Sequence, residues 1–438
     1  MKVQNLRLES LQGISRVAAT VTWEDSGRPA QEIYFSVPEE FADFLYPNAD
    51  SYLAGCILLA MEHGEQRIKL DGAVCPELIE GIRTAVGWFR YWYQPNWELP
   101  SIESEIRSEP LTYHAKRSAG SFLSGGVDSL ALLRSNHLTY PETHPKFIRH
   151  CFLVYGFDMG DNETKYSKQK EAFVKVNHSL SQVAEAANVT LIPVCTNIRH
   201  LQLSPELWMS KTMRPYSFFS SPSGNPVLNL WMKINHGATL CSVAHCFTPI
   251  MNTMFVASSL DIEHMEPWGS HPLIDPCYGS ADMRIIHHGV TDSRLEKIKL
   301  VAQWEPALQV LRVCTQINSW AANPAGPQNC GECERCVRAM TALLAIGALQ
   351  KTSAFPNKDV SPALLSKTRP FTGYPQEWDQ ELFELLIKQG RGDLVQAIKR
   401  STRIYLIRSL LKLIDKKLLK TRLWTFRKKY YLRQNHNR

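Results

Sequence analysis

Two groups of residues have types and spacing that could do chemistry. The first is the run Ser124-Gly125-Gly126-Val127-Asp128-Ser129. Paired glycines after an apolar stretch let a backbone approach a phosphate without Cβ clashes. If a helix begins there, its first N–H groups lack intrahelical partners and carry the positive end of the dipole, a ready seat for an anion. Ser124 and Ser129 add hydroxyls. Asp128 would cap the helix or hold Mg²⁺ beside the phosphates. The run is not a Walker loop, which places a Lys-Ser/Thr pair after its second glycine. The second group is Cys330, Cys333 and Cys336 at three-residue intervals, with Cys314 sixteen positions before the first. Four thiolates close a tetrahedral Zn²⁺ site, and closed sites of this kind are structural. An iron–sulfur cluster would use the same ligands. Gly331 permits the tight turn between the first pair.

The elements around these residues must position them. From 118 to 350 strand-like and helix-like patterns alternate. Ser118 to Leu123 reads as a strand and Ser129 to Asn136 as a helix. Arg149 to Phe157 is a second strand, followed by a long helix with Ala172, Val176, Leu180, Val183 and Ala187 on one face. Val189 to Val194 and Met254 to Ala257 supply two more strands, with a helix from Asn235 to Phe247 between them. Such alternation predicts an α/β fold with a doubly wound parallel sheet and ligands at the carboxyl ends of its strands. Residues 1–110 read as an accessory α+β domain. Its strands run Val17 to Trp23 and Glu32 to Val37, and its amphipathic helix carries Leu78, Ile82, Ala85, Val86, Phe89 and Tyr93. Residues 351–438 form a helical basic extension, in which Ile404, Ile407, Leu410, Leu411, Ile414 and Leu418 share a face expected to pack on the body.

The loop SGGVDS resembles that of the N-type PP-loop ATP pyrophosphatases. With the downstream Cys…Cys-Gly-x-Cys-x-x-Cys pattern and Gly156-Phe157-Asp158-Met159-Gly160, residues 118–350 resemble the 7-cyano-7-deazaguanine synthase branch. The resemblance implies an enzyme that cleaves ATP between its α and β phosphates. It would adenylate a carboxylate or amide oxygen of a deazaguanine-type base, release pyrophosphate, then transfer an amine or ammonia as a carbon–nitrogen ligase. It places ATP on Ser124, Gly125, Gly126, Val127, Asp128, Ser129 and Asp158, and zinc on Cys314, Cys330, Cys333 and Cys336. Two features depart from the branch: the long gap from Cys314 to Cys330, and Asp161 where the branch has glutamine. Relatives with extra domains occur in bacterial antiviral defence clusters, which fits a protein acceptor. Two rivals stand beside this reading. One is a tRNA-modifying sulfurtransferase, for which Cys241 and Cys246 are the loose cysteine pair. The other is a non-catalytic nucleotide-sensing subunit of a defence complex.

Further candidates follow the later strands. Arg294 and Lys297, one helical turn apart, are expected to meet the developing pyrophosphate, and with Asp128 they form the catalytic set. His271 and Asp275 sit in the proline-bounded loop Gly269 to Pro276, as a proton carrier and an Mg²⁺ ligand. Asn197 and Arg199 follow the third strand. His287 and His288 have no third ligand at metal spacing and read as ordinary.

The 438 residues are 44% hydrophobic and 21% charged, enough for a sizeable core. The start has no secretory h-region and no apolar run reaches spanning length, so a cytoplasmic protein is expected. The net charge of +7 is unevenly spread. Residues 399–438 hold fourteen Lys/Arg against Asp415 alone, leaving an excess of acids elsewhere. The tail is therefore the candidate contact for nucleic acid, an anionic surface or an acidic partner. The N-terminal domain is the candidate dock for a protein.

Overall fold

The structure, a computed structural model, describes residues 1–93, 98–113, 116–157, 166–202, 230–314, 326–368 and 379–418. Among them the strands form one ten-stranded sheet. They are β1 (Lys2–Leu11), β2 (Ile14–Thr22), β3 (Gln31–Pro38), β4 (Arg67–Val74), β5 (Ser101–Ile106), β6 (Ser118–Phe122), β7 (Ile148–Tyr155), β8 (Thr190–Thr196), β9 (Met251–Ala257) and β10 (Arg284–His288). The order is β10-β9-β6-β7-β8-β3-β2-β1-β4-β5. The run from β10 to β8 is parallel throughout. The β8–β3, β3–β2 and β2–β1 pairs are antiparallel, while β1–β4 and β4–β5 are parallel. The result is a mixed α/β fold on a large, mostly parallel sheet. The expected accessory strands are therefore continuous with the central sheet, joined through Phe35↔Thr196 and Ser36↔Cys195.

By internal packing the chain divides elsewhere than at 110–118. One unit holds Met1–Arg312; the other holds Gly326–Arg438 with the segment bearing Cys314. Among the described residues of the first unit the α-helices are α1 (Ala49–His63), α2 (Pro76–Trp92), α3 (Val127–Thr139), α4 (Tyr166–Ala186), α5 (His236–His245), α6 (Arg294–Ala302) and α7 (Glu305–Val310). Both faces of the parallel half are covered. On β7, Phe152 joins the core shared with α1, α2 and α5, while Cys151, Leu153 and Tyr155 point the other way and are buried too. α3 and α4 pack against the sheet on β6, β7, β8 and β9. Two covered faces turn strands into continuous apolar runs rather than alternating ones.

In α1 all fifteen residues are buried. Asn48 caps it by accepting from the Asp50 N–H, and left-handed Gly64 ends it. A helix buried on every side has no amphipathic signature, and the sequence periodicity does not reveal it.

The second unit is helical: α8 (Glu334–Ala345), α9 (Pro362–Thr368), α10 (Asp379–Lys388) and α11 (Gly392–Leu418). α9 and α10 pack against α11, whose Leu394 and Ile398 are buried. Further along α11 the apolar residues lie outside this packing. Ile404, Ile407, Leu410 and Leu411 are all exposed, because α9 and α10 cover only the start of this helix. No described helix is long and apolar enough to cross a membrane.

Candidate phosphate loop and metal centre

Chain order explains where the loop lies. The sheet grows from β6 to β7 and β8 on one side, then returns to add β9 and β10 on the other. The order thus reverses at β6, and a crevice opens at the carboxyl ends of β6 and β9. Residues 123–126 leave β6 into that crevice and α3 starts at Val127, with Gly126 as its cap. Gly125 has φ +78°, and a Cβ there would meet Leu180 at 3.4 Å. Gly126 has φ −75°, which any residue can adopt, and a Cβ would meet the Ser124 hydroxyl at 3.3 Å and the Arg312 carbonyl at 3.8 Å. The backbone thus requires a glycine at 125, whereas at 126 its benefit is close approach by a ligand.

The two hydroxyls hold the loop itself. Ser129 Oγ accepts from the Ser124 N–H at 3.2 Å and donates to the Gly126 carbonyl at 3.1 Å. Ser124 Oγ accepts from the Gly126 N–H at 3.3 Å. The first-turn N–H groups of Val127, Asp128 and Ser129 have no intrahelical acceptor to reach, a geometry that can seat an anion.

The structure brings Arg294 and Lys297 to Asp128. Ser293 and Glu296 form a reciprocal capping box that fixes the start of α6. The two cations then lie a turn apart on one face. Arg294 pairs with Asp128 at 2.5 Å. Lys297 is only 3% exposed, and its Nζ donates to the Ser258 carbonyl at the end of β9 at 2.9 Å. Burial lowers the Lys297 pKa and Arg294 lowers it further, against the pull of Asp128, Asp292 and Asp261. A buried ammonium of this kind favours an anion beside it. Arg312 is a residue that sequence reasoning misses. Its guanidinium donates to the Ser124 carbonyl at 3.0 and 3.2 Å, and its N–H to the Gly125 carbonyl at 2.8 Å. No local spacing signals this contact across 188 residues. The Ser293-x-x-Glu296 box, by contrast, is readable from the sequence.

Other expectations resolve differently. Asn197 bonds the Tyr34 N–H and the Glu32 carbonyl, so it ties the loop after β8 to β3. Arg199 is buried over the Trp231 ring and donates to the Phe157 carbonyl. Asp158 and Asp161 lie outside the described residues. Asp275 binds Ser270 and His287, protein partners where the sequence suggests an Mg²⁺.

In the second unit the four cysteine sulfurs lie within 4.8 Å of one another. Cys330–Cys336 and Cys333–Cys314 are 3.8 and 3.9 Å apart. A tetrahedron with Zn–S bonds of about 2.3 Å has edges of about 3.8 Å. The group can therefore hold a metal ion such as zinc. Crowding by Cys314 and Cys333, with burial, drives the Cys336 pKa upward, a penalty that a divalent cation reverses. The Cys333 N–H donates to Cys330 Sγ at 3.3 Å across the turn at Gly331, where φ is +74°. Cys333 caps α8, which aims its N-terminal dipole at the sulfurs.

Asn329, unremarked in the sequence, clamps the fourth ligand. Its Oδ1 accepts from the N–H groups of Val313 and Cys314 at 2.9 and 3.1 Å, and its Nδ2 donates to the Ala354 carbonyl. Asn329→Leu is expected to weaken metal retention about 10–100-fold, read by competition with a chromogenic chelator while all four cysteines remain. Comparison of the chain with protein-family models, curated proteins and solved structures returned no match.

Proposed function

We propose that the protein is an ATP-dependent, AMP- and pyrophosphate-forming carbon–nitrogen ligase of the PP-loop type, with its four cysteines on a structural zinc. The observation that carries the reading is the convergence at the β6/β9 crevice. A glycine loop with open first-turn N–H groups, a buried ammonium at Lys297 and a guanidinium at Arg294 meet around Asp128. That arrangement suits a pyrophosphate leaving group, whose charge grows as the α–β bond breaks. Asp128 would hold Mg²⁺ beside the phosphates. A carboxylate of a deazaguanine-type base would attack the α-phosphate, and an amine or ammonia would then displace AMP from the acyl carbon. The sulfurtransferase alternative needs a reactive thiol. Cys241 and Cys246 are fully buried, and burial raises both pKa values, that of Cys246 to about 12.

The test supplies ATP, Mg²⁺, a 7-deazaguanine 7-carboxylate and ammonium, and measures AMP and pyrophosphate. Equal amounts of the two are expected, with Ser124→Ala much slower. An absence of AMP, or AMP formed equally by Ser124→Ala, would overturn the reading and leave a nucleotide-sensing role.

A further inference from the structure

The long helix α11 changes its apolar side along its length. In the first half Leu394, Val395, Ala397 and Ile398 are buried, while Gln396, Lys399 and Arg400 are exposed. At about 100° per residue, the buried stripe of Leu394 and Ile398 continues through Tyr405 and Arg408 to Lys412 and Lys416. The exposed stripe of Gln396 and Arg400 continues through Ile404, Ile407 and Leu411 to Ile414 and Leu418. From residue 404 onward the side that was buried is therefore basic, and the side that was exposed is apolar. Extending the packing of the first half along this helix would bury arginine and lysine and leave isoleucine and leucine in water. Ile404, Leu406, Ile407, Leu410 and Leu411 are indeed exposed, as are Arg403 and Arg408. A contiguous apolar surface rimmed by charge marks a site of interaction.

Charge decides among occupants. Residues 403–438 hold twelve Lys/Arg against one acid, Asp415. A second copy of the helix would bring like charges together. A nucleic acid would neutralise the cations and leave the aliphatic side chains in water. An acidic protein groove would need a carboxylate placed for Arg403, which falls by spacing between Ile407 and Leu410 on the apolar side. At a lipid interface its aliphatic stem lies among the leucines and its guanidinium reaches back to the headgroups. Beyond Leu418 the sequence adds Trp424, Tyr430 and Tyr431, residue types that favour headgroup level.

We propose that α11, from Ile404 onward, lies in the plane of a membrane surface rich in anionic lipid. Ile404, Ile407, Leu410 and Leu411 enter the boundary of the acyl chains, and Arg408, Lys412 and Lys416 meet the phosphates. This is peripheral attachment, since no described helix is long and apolar enough to cross. Apolar burial and electrostatic attraction act together, so either alone gives weak binding.

The test sediments the full chain with vesicles of phosphatidylcholine, alone or with phosphatidylglycerol at about one lipid in three. Binding to the mixed vesicles is expected to be about tenfold tighter or more, and to weaken as salt is raised. The double variant Leu410→Glu, Leu411→Glu should lose about tenfold or more in affinity for the mixed vesicles. Both side chains are exposed, so its melting temperature should match that of the native chain. Arg408→Gln with Lys412→Gln should lose most of the preference for phosphatidylglycerol. Equal binding to the two vesicles, or native affinity in the Leu410→Glu, Leu411→Glu variant, would overturn the proposal. So would binding to neither vesicle, and tight binding of a single-stranded RNA in that case would give the tail's charge to nucleic acid.

Discussion

Replacing Cys336 by serine is expected to strip the metal and unfold much of the second unit. The native chain should hold about one zinc per chain by plasma mass spectrometry, and the variant almost none. Cys336 sits in the first turn of α8, and Val337, Met340 and Leu343 of that helix are fully buried. Loosening the knuckle therefore loosens the start of the helix around which the unit packs. Structural zinc contributes roughly 10–16 kcal/mol in small peptides at neutral pH. The buried residues of α8, α10 and α11 hold part of that stability here without metal, so a fall in the unit's melting temperature of more than about 10 °C is expected. Calorimetry with and without chelator checks it. Bleached visible colour on chelation would instead identify iron in place of zinc.

Lys297→Met should slow pyrophosphate release by about 100-fold or more with little loss of fold. The methionine keeps the apolar stem that packs under Gly289 and removes only the charge. Preorganised charge in a water-poor site typically contributes 10²–10³ in rate. The pH dependence carries the same signature. Burial first, and Arg294 second, lower the Lys297 pKa, so the ammonium loses its proton below the usual lysine range. Affinity for pyrophosphate is then full while Lys297 is charged and falls as pH rises through that lowered pKa. Bound anion pulls the pKa back up and moderates the fall. In Lys297→Met both the affinity and this alkaline limb should be lost. Calorimetric titration with pyrophosphate and Mg²⁺ across the alkaline range measures both. An unchanged limb in the variant would assign it to another group.

Amphipathic elements are legible in the sequence. The strands Ser118–Phe122, Ile148–Tyr155 and Thr190–Thr196 and the helix Pro76–Trp92 lie where apolar periodicity puts them. β1, β4, β5 and α1 are not legible in that way. β1 carries the motif-free hairpin into β2, β5 is a polar edge strand, and α1 is buried all round. Edge strands and fully buried helices both lack the one-sided pattern that marks an element in sequence. β10 escapes notice for a related reason, since its five residues Arg284–His288 are too few to show a period.

The sequence by itself determined the two chemical groups. Ser124 to Ser129 forms a glycine loop that opens a helix, and four cysteines share one knuckle, because both are local devices whose spacing is their geometry. Arg294 and Lys297 could be named from one turn of helix. Only the tertiary structure decided what they face. The pairing of Arg294 with Asp128, the burial of Lys297 and the hold of Arg312 on the loop all join residues far apart in the chain. Such contacts depend on strand order and on the reversal at β6, which no local pattern encodes. The same holds for the N-terminal strands. They read as a separate domain, and the β3–β8 pairing makes them part of the central sheet.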